Sequence, residues 1–170
     1  MDGILAGMVP TAMSSDDAGR QADAVMRASR VLVGIVARSV AEVEQQVSLT
    51  QLRVLVLVAT RGRLNLGQVA DALGVHPSNA TRTVDRLVVA GLLERTNDPK
   101  DRRYLLLDLT AQGHEVVERV MGYRRAAITA VLEDMPSARR RTLAAALDSF
   151  AAAAGEEREG EAAYVLGLPT

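Results

Sequence analysis

The sequence predicts a mainly α-helical protein with a small β-hairpin, in which a winged helix-turn-helix domain lies between long N- and C-terminal dimerisation helices. Three observations lead to this fold class. Apolar residues recur at steps of three and four before residue 48 and after residue 110. Between these segments, a glycine separates two short helical stretches, and two short apolar strands flank a charged, turn-forming sequence.

The composition limits the class of protein. The chain has 170 residues, of which 48% are hydrophobic and 24% charged, a balance typical of one globular domain. It contains no cysteine, which excludes disulfides and thiolate zinc sites. No apolar run is long enough to span a bilayer and the N-terminus is a poor signal peptide, so we expect a cytoplasmic protein without a membrane partner. The sequence has no glycine-rich phosphate loop, nucleophile elbow or metal-spaced histidine pair, and it therefore predicts no enzyme, cofactor or metal site.

Charge is distributed unevenly along the chain. Residues 51–104 carry nine lysines or arginines and five acidic residues. The flanking segments have an acidic excess: residues 1–50 carry four basic and six acidic residues, and residues 105–170 carry seven basic and ten acidic residues. The basic excess therefore lies in the segment with the short helices and the hairpin. Because a phosphate backbone is bound through cations, this segment is the candidate for contact with double-stranded DNA. Ordinary surface variation is the alternative explanation of the charge alone.

The first long helix is expected after a flexible N-terminal arm of residues 1–15. Ser15 or Asp16 can cap it, and its apolar positions continue at helical spacing to about Val47. A helix of this length measures about 45 Å, which is more than a compact domain of this size needs. A single apolar stripe along so long a helix predicts a partner helix, which a second copy of the chain can supply.

Two capping boxes predict the next two helices. Ser48 with Gln51, and Asn65 with Gln68, have the spacing at which two side chains satisfy each other's backbone N–H groups. Gly74 is suited to the left-handed conformation that ends the second of these helices. The helix after Ser48 is expected to bury Leu52, Leu55, Val58 and Ala59.

A third helix begins at His76 and Pro77, continues to about Ala90, and is sharply two-faced. Its apolar face carries Ala80, Val84, Leu87 and Val88. The opposite face is rich in the side chains that bond base edges and phosphates in a major groove, although a merely solvated face is the alternative. The predicted DNA-binding residues on this helix are Pro77, Ser78, Asn79, Arg82, Thr83 and Arg86.

Strands Leu92–Thr96 and Tyr104–Leu109 flank a turn-forming sequence that carries several charges. Cations at a hairpin tip can enter a minor groove, whose negative potential attracts arginine. Acidic residues at the same tip are better suited to bonding neighbouring arginines or turn amides, which would stabilise the wing. The tip therefore contains predicted DNA contacts at Lys100, Arg102 and Arg103, and wing-stabilising residues at Asp98 and Asp101.

The C-terminal third reads as two further helices. Thr110 begins a helix that reaches about Met135, Pro136 interrupts it, and a last helix continues as far as Gly155. The predicted single domain spans residues 16–154 and is followed by a tail at 155–170. Within it, the winged helix-turn-helix covers about 49–109, and the dimerisation helices cover about 16–47 and 110–153.

Two motifs carry a resemblance to a known family. The hairpin sequence DPKDRR, followed by LT-x-x-G at Leu109–Gly113, and the segment LGVHPSNATRTVDRLVVAGLLER at Leu73–Arg95 are both similar to the MarR family of bacterial winged helix-turn-helix transcriptional regulators. The resemblance extends over about residues 20–153. It implies a homodimer joined through its terminal helices, with one recognition helix and one wing on each half of a near-palindromic operator.

The resemblance also implies a repressor that releases DNA when a small lipophilic or aromatic anion enters a cleft beside the dimerisation helices. The candidate effector residues are Val36, Ser39, Leu52, Arg53 and Val56. A packing role in the core or the interface is the alternative for these five residues. Two other functions stay open: a constitutive DNA binder without an effector, and a helical dimeric protein-interaction module that uses the winged-helix segment as a scaffold.

Overall fold

The computed structural model describes residues 14–97 and 105–155. In these ranges the chain forms six helices and one two-stranded antiparallel sheet, in the order expected for a winged helix-turn-helix. The elements are α1 (Ser15–Ala41), α2 (Leu49–Arg61), α3 (Leu66–Leu73), α4 (Pro77–Val89), β1 (Leu93–Asn97), β2 (Leu105–Leu109), α5 (Ala111–Glu133) and α6 (Ser137–Ala153). Most of the N-terminal arm, the hairpin tip and nearly all of the C-terminal tail lie outside the described residues.

Helix α1 ends at Ala41, so the prediction that it continues to Val47 is wrong. Beyond Ala41 the backbone tightens into turns, in which Val43 N–H donates to the carbonyl of Val40 at 3.1 Å and Gln46 N–H to that of Val43 at 2.9 Å. Acidic residues at 42 and 44 add a small penalty to continuation, about 0.3–1 kcal/mol, because the C-terminal end of a helix carries partial negative charge. The turns still bury Val43 and Val47, which are 1% and 3% exposed.

Helix α2 lies at the centre of the core. Its predicted capping box is confirmed, with Ser48 N–H donating to Gln51 Oε1 at 2.8 Å and Gln51 N–H to Ser48 Oγ at 3.3 Å. Neighbouring elements cover the helix on several sides, and it buries Leu52, Val54, Leu55, Val56, Leu57 and Val58. The expectation that Ala59 faces inward is wrong, because the last turn of the helix emerges into solvent.

The hairpin is joined to the helices at its base. Leu93 pairs with Leu109, and both are buried in the core. Leu64, in the loop before α3, forms a short antiparallel bridge to Leu107, with Leu107 N–H donating to the Leu64 carbonyl at 2.7 Å. The base of this hairpin, the wing of the winged helix, is thus part of the same hydrophobic core as the helices.

The LT-x-x-G motif fixes the start of α5 against the turn between α4 and β1. Thr110 Oγ1 donates to the carbonyl of Gly91 at 2.6 Å and accepts from the N–H of Gly113 at 3.1 Å. Thr110 N–H donates to the carbonyl of Leu92 at 3.2 Å. A Cβ atom on Gly113 would lie 2.1 Å from that same carbonyl oxygen, so only glycine allows this approach.

Helices α1 and α5 pack together, and a polar contact lies buried between them. Arg124 Nε donates to Ser39 Oγ at 2.8 Å, and Ser39 Oγ in turn donates to the carbonyl of Val36 at 2.7 Å. Burial lowers the pKa of the Arg124 guanidinium from its ordinary value, because desolvation disfavours the charged form. A buried cation therefore lies within the α1–α5 contact.

The fold leaves part of its long helices uncovered. None of the side chains of α6 is buried. No described helix is both long and apolar enough to cross a membrane. Large apolar side chains stand exposed on α1, α5 and α6: Val25, Met26, Val31, Leu32, Val33, Ile128, Val131, Leu147 and Phe150.

Candidate nucleic-acid interface

The turn between α3 and α4 has the geometry that the sequence predicts. Asn65 N–H donates to Gln68 Oε1 and Gln68 N–H to Asn65 Oδ1, both at 2.9 Å, which completes the second capping box. Gly74 then adopts the left-handed conformation, with φ 62° and ψ 32°. Its N–H donates to the carbonyl of Asp71 at 3.1 Å, which closes α3 and directs the chain into α4.

His76 caps the N-terminus of α4. Its Nδ1 accepts from the backbone N–H of Ser78 at 3.3 Å and lies 2.8 Å from Ser78 Oγ. Pro77 occupies the first helical position, where its fixed φ suits a helix and its missing N–H costs nothing. His76, Pro77 and Ser78 are all exposed, so this end of the helix and its partial positive charge face solvent.

The two faces of α4 are confirmed. Ala80, Val84 and Leu87 are buried in the core. The predicted contacts Pro77, Ser78, Asn79, Arg82 and Arg86 are exposed, and Thr83 is half-buried. The structure therefore brings six of the predicted DNA-binding residues together on the outer side of one helix, and their contact with DNA stays a prediction.

Two arginines dominate the outer face of α4. Arg82 Nη2 donates to Asn79 Oδ1 at 2.6 Å, which orients the guanidinium along the helix before any ligand is bound. Neither Arg82 nor Arg86 forms an ion pair with a residue that the structure describes. Thr83 Oγ1 donates to the carbonyl of Asn79 at 2.9 Å, so its hydroxyl proton is used within the helix. The face thus offers two cations whose charge no described carboxylate neutralises.

Lys100, Arg102 and Arg103 and the predicted bracing residues Asp98 and Asp101 lie outside the described residues. Sequence reasoning missed two ion pairs that the hairpin strands form. Arg95 Nη2 of β1 pairs with Asp85 Oδ1 of α4, and Arg63 Nε pairs with Asp108 Oδ2 of β2 at 2.7 Å. No local spacing marked these residues in the sequence, because pairing them requires knowledge of where the hairpin folds back.

The five candidate effector residues have different surroundings. Leu52 and Val56 are packed in the core, Ser39 is buried against Arg124, and Val36 and Arg53 are half-buried. Two cavities in the described part of the chain, of about 650 and 530 Å³, are lined by other residues. The effector site stays a prediction.

Comparison with known proteins agrees with this geometry. The family model described as "MarR family" matches residues 47–105. A solved structure, RV1404 from Mycobacterium tuberculosis, is 41% identical with a TM-score of 0.74, and the match covers 87% of this chain and 99% of that one. The chain belongs to the MarR family.

Two curated relatives of this MarR protein show how much of the chain the similarity covers. The transcriptional repressor MdtR of Bacillus subtilis is 37% identical over 83 residues, which cover 49% of this chain and 54% of MdtR. An uncharacterised regulator of Mycobacterium leprae, ML2140, is 30% identical over 105 residues, which cover 62% of this chain and 73% of that protein. The match to MdtR thus spans about half of that protein's length.

Proposed function

We propose that this MarR protein is a sequence-specific DNA-binding transcriptional regulator, and that it acts as a homodimeric repressor of a near-palindromic operator. The observation that carries the proposal is the outer face of α4, where Asn79 orients Arg82 and no described acid pairs with Arg82 or Arg86. The similarity to MdtR, which is named a transcriptional repressor, supports it.

In this proposal α4 enters the major groove. Arginine bonds the O6 and N7 atoms of guanine with two parallel hydrogen bonds, so Arg82 and Arg86 are the base-reading candidates. Ser78 and the N-terminal amides of α4 suit a backbone phosphate, because a helix N-terminus attracts anions. The hairpin residues Lys100 and Arg102 would add contacts in the neighbouring minor groove.

A second copy of the chain is the proposed partner of the uncovered helices. Large apolar side chains exposed on α1, α5 and α6 support this proposal, because exposed apolar surface commonly marks a site of protein–protein contact. A two-fold symmetric dimer would present its recognition helices to half-sites about one helical turn of DNA apart, roughly 10 base pairs.

Two charged substitutions on α6 test the dimer. We expect Leu147→Glu combined with Phe150→Glu to give a monomer in sedimentation measurements, because a buried carboxylate opposes association. Since α6 buries none of its residues within the subunit, thermal unfolding should stay cooperative.

A truncation gives a second test of the dimer. A chain that ends at Pro136 should likewise lose the dimer, and a chain that ends at Ala154 is the control. A stable dimer of the chain ending at Pro136 would contradict this topology.

A small lipophilic or aromatic anion is the proposed effector. Arg53, a half-buried cation among the five candidate residues, supports an anion. Such a compound would raise the midpoint of thermal unfolding and release bound DNA. A constitutive DNA binder would show neither effect with any compound of this class.

Selection of bound sequences from a random duplex pool tests the function itself. We expect enrichment of a near-palindrome whose half-sites are separated by about one helical turn, roughly 10 base pairs. The affinity for the selected duplex should exceed that for random DNA by about 10³-fold or more, as is usual for specific regulators. A pool that shows no enrichment would overturn the proposal and favour a protein-interaction module.

A further inference from the structure

The flank of the recognition helix carries a carboxylate whose position is unusual for a DNA-binding surface. Asp85 lies on α4 between Arg82 and Arg86, and a carboxylate there is expected to repel the phosphate backbone. It pairs with Arg95 of β1, which lies on the hairpin ten residues further along the chain. Both side chains are partly open to solvent, with exposed fractions of 37% for Arg95 and 50% for Asp85. The acid therefore connects the recognition helix to the wing.

Apolar packing holds only the base of the hairpin. Leu93, Leu107 and Leu109 are buried, but Leu105, at the outer end of β2, is 51% exposed. A groove of about 530 Å³ lies between the hairpin and the helices, and its lining includes the start of α3, Val84 of α4, and Arg95, Leu105 and Leu107 of the hairpin. Because an unfilled space offers no partner atoms, apolar packing contributes less to the angle between the outer hairpin and α4 than it does at the base.

Two ion pairs connect the hairpin to the rest of the chain, one on each strand. Arg95 of β1 is bonded to Asp85 of α4, and Asp108 of β2 is bonded to Arg63, which precedes α3. The second pair lies beside the buried base of the hairpin, where Leu64 already bridges Leu107. The first pair joins the hairpin directly to the recognition helix, at the position where Arg95 lies opposite Leu107 in the sheet, so it is the polar contact best placed to set the angle between these two elements.

We propose that Asp85 and Arg95 are positioning residues, which hold the wing at the angle to the recognition helix at which both elements meet DNA. This inference rests on the proposed function. The inference explains why an acidic residue on this helix is compatible with DNA binding. The ion pair with Arg95 masks the negative charge of Asp85, and the carboxylate connects the helix to the hairpin. An exposed ion pair contributes little to folding stability, so its effect should appear in DNA binding and not in the stability of the subunit.

A double-mutant cycle on the full chain tests the proposal. Asp85→Asn, Arg95→Gln and the double variant are compared with the wild type on the selected operator duplex and on random DNA. We expect each single substitution to lower the affinity for the operator about tenfold, and the double variant to lose no more than either single one. On random DNA, Asp85→Asn should bind at least as tightly as the wild type, because a negative charge has been removed.

Several readouts separate positioning from other roles. Arg95→Lys, which keeps the charge, should recover part of the affinity that Arg95→Gln loses. The midpoint of thermal unfolding should change by no more than about 2 °C, since exposed pairs contribute little to stability. The combined substitution Asp17→Asn and Arg20→Gln removes another exposed ion pair, on α1, and should leave operator binding unchanged.

The possible outcomes are distinct. If Asp85→Asn binds the operator as tightly as the wild type or more tightly, Asp85 is only a repulsive charge and the inference is wrong. Additive losses in the double variant would make Arg95 an independent phosphate contact and would also overturn it. If the wild type itself prefers no duplex sequence, the proposed function fails and this inference fails with it.

Discussion

Replacing Gly113 by alanine should lower the free energy of unfolding by about 3 kcal/mol, at the upper end of the usual cost of overpacking. The added Cβ would lie 2.1 Å from the carbonyl oxygen of Leu92 and 3.0 Å from a methyl group of Leu109. The first of these atoms is backbone and cannot rotate away, so either the start of α5 or the α4–β1 turn must move. Urea unfolding followed by circular dichroism measures the loss.

Gly122 provides a matched control for this prediction. It lies on the same helix, α5, and a Cβ placed there meets no atom within 4 Å. Alanine is the better helix former, so Gly122→Ala should raise the free energy of unfolding by about 0.5–1 kcal/mol. Equal effects of the two substitutions would show that helix propensity, and not the contact with Leu92, determines the result at Gly113.

Replacing Arg82 by alanine should weaken binding to the selected operator by about 1–3 kcal/mol and relax the preference at one base position. The physical reason is the loss of a guanidinium that Asn79 already orients on the outer face of α4. Isothermal titration on the operator and on variants of each base pair measures both effects. Thermal unfolding should be unchanged, because the side chain is exposed.

An exposed arginine away from the site serves as the control for Arg82. Arg139→Ala removes the same charge from the start of α6 and should leave operator specificity unchanged. A loss for Arg82→Ala of the same size on random DNA would identify a phosphate contact instead of base reading. Duplex binding retained after Arg82→Ala combined with Arg102→Ala would favour the protein-interaction module.

The long-range polar contacts mark the limit of prediction from the sequence. The partners Arg63 and Asp108 are 45 residues apart, and Arg124 and Ser39 are 85 apart. In the sequence each of these residues is one charged or polar residue among many, and no local spacing selects its partner. The same limit applies to the exposed apolar residues of α1 and α5. Their periodicity predicts that they lie on helices, but it does not predict whether another part of the same chain covers them.

The sequence by itself determined the features whose causes lie within a few residues. The capping boxes at Ser48 and Asn65 and the left-handed turn at Gly74 were predictable because cap and partner are at most three or four residues apart. The two-faced α4 was predictable for the same reason, since its period of 3.6 residues is a property of the helix alone.

Only the tertiary structure decided where α1 stops, which faces of α2 are buried, and how the hairpin is held against α4. Val43 and Val47 continue the helical period of α1, yet burial in the core makes a pair of turns the better solution. Asp85 reads as a solvated charge until β1 brings Arg95 beside it. In each case the deciding free energy comes from contact with a distant segment, which spacing along the chain does not encode.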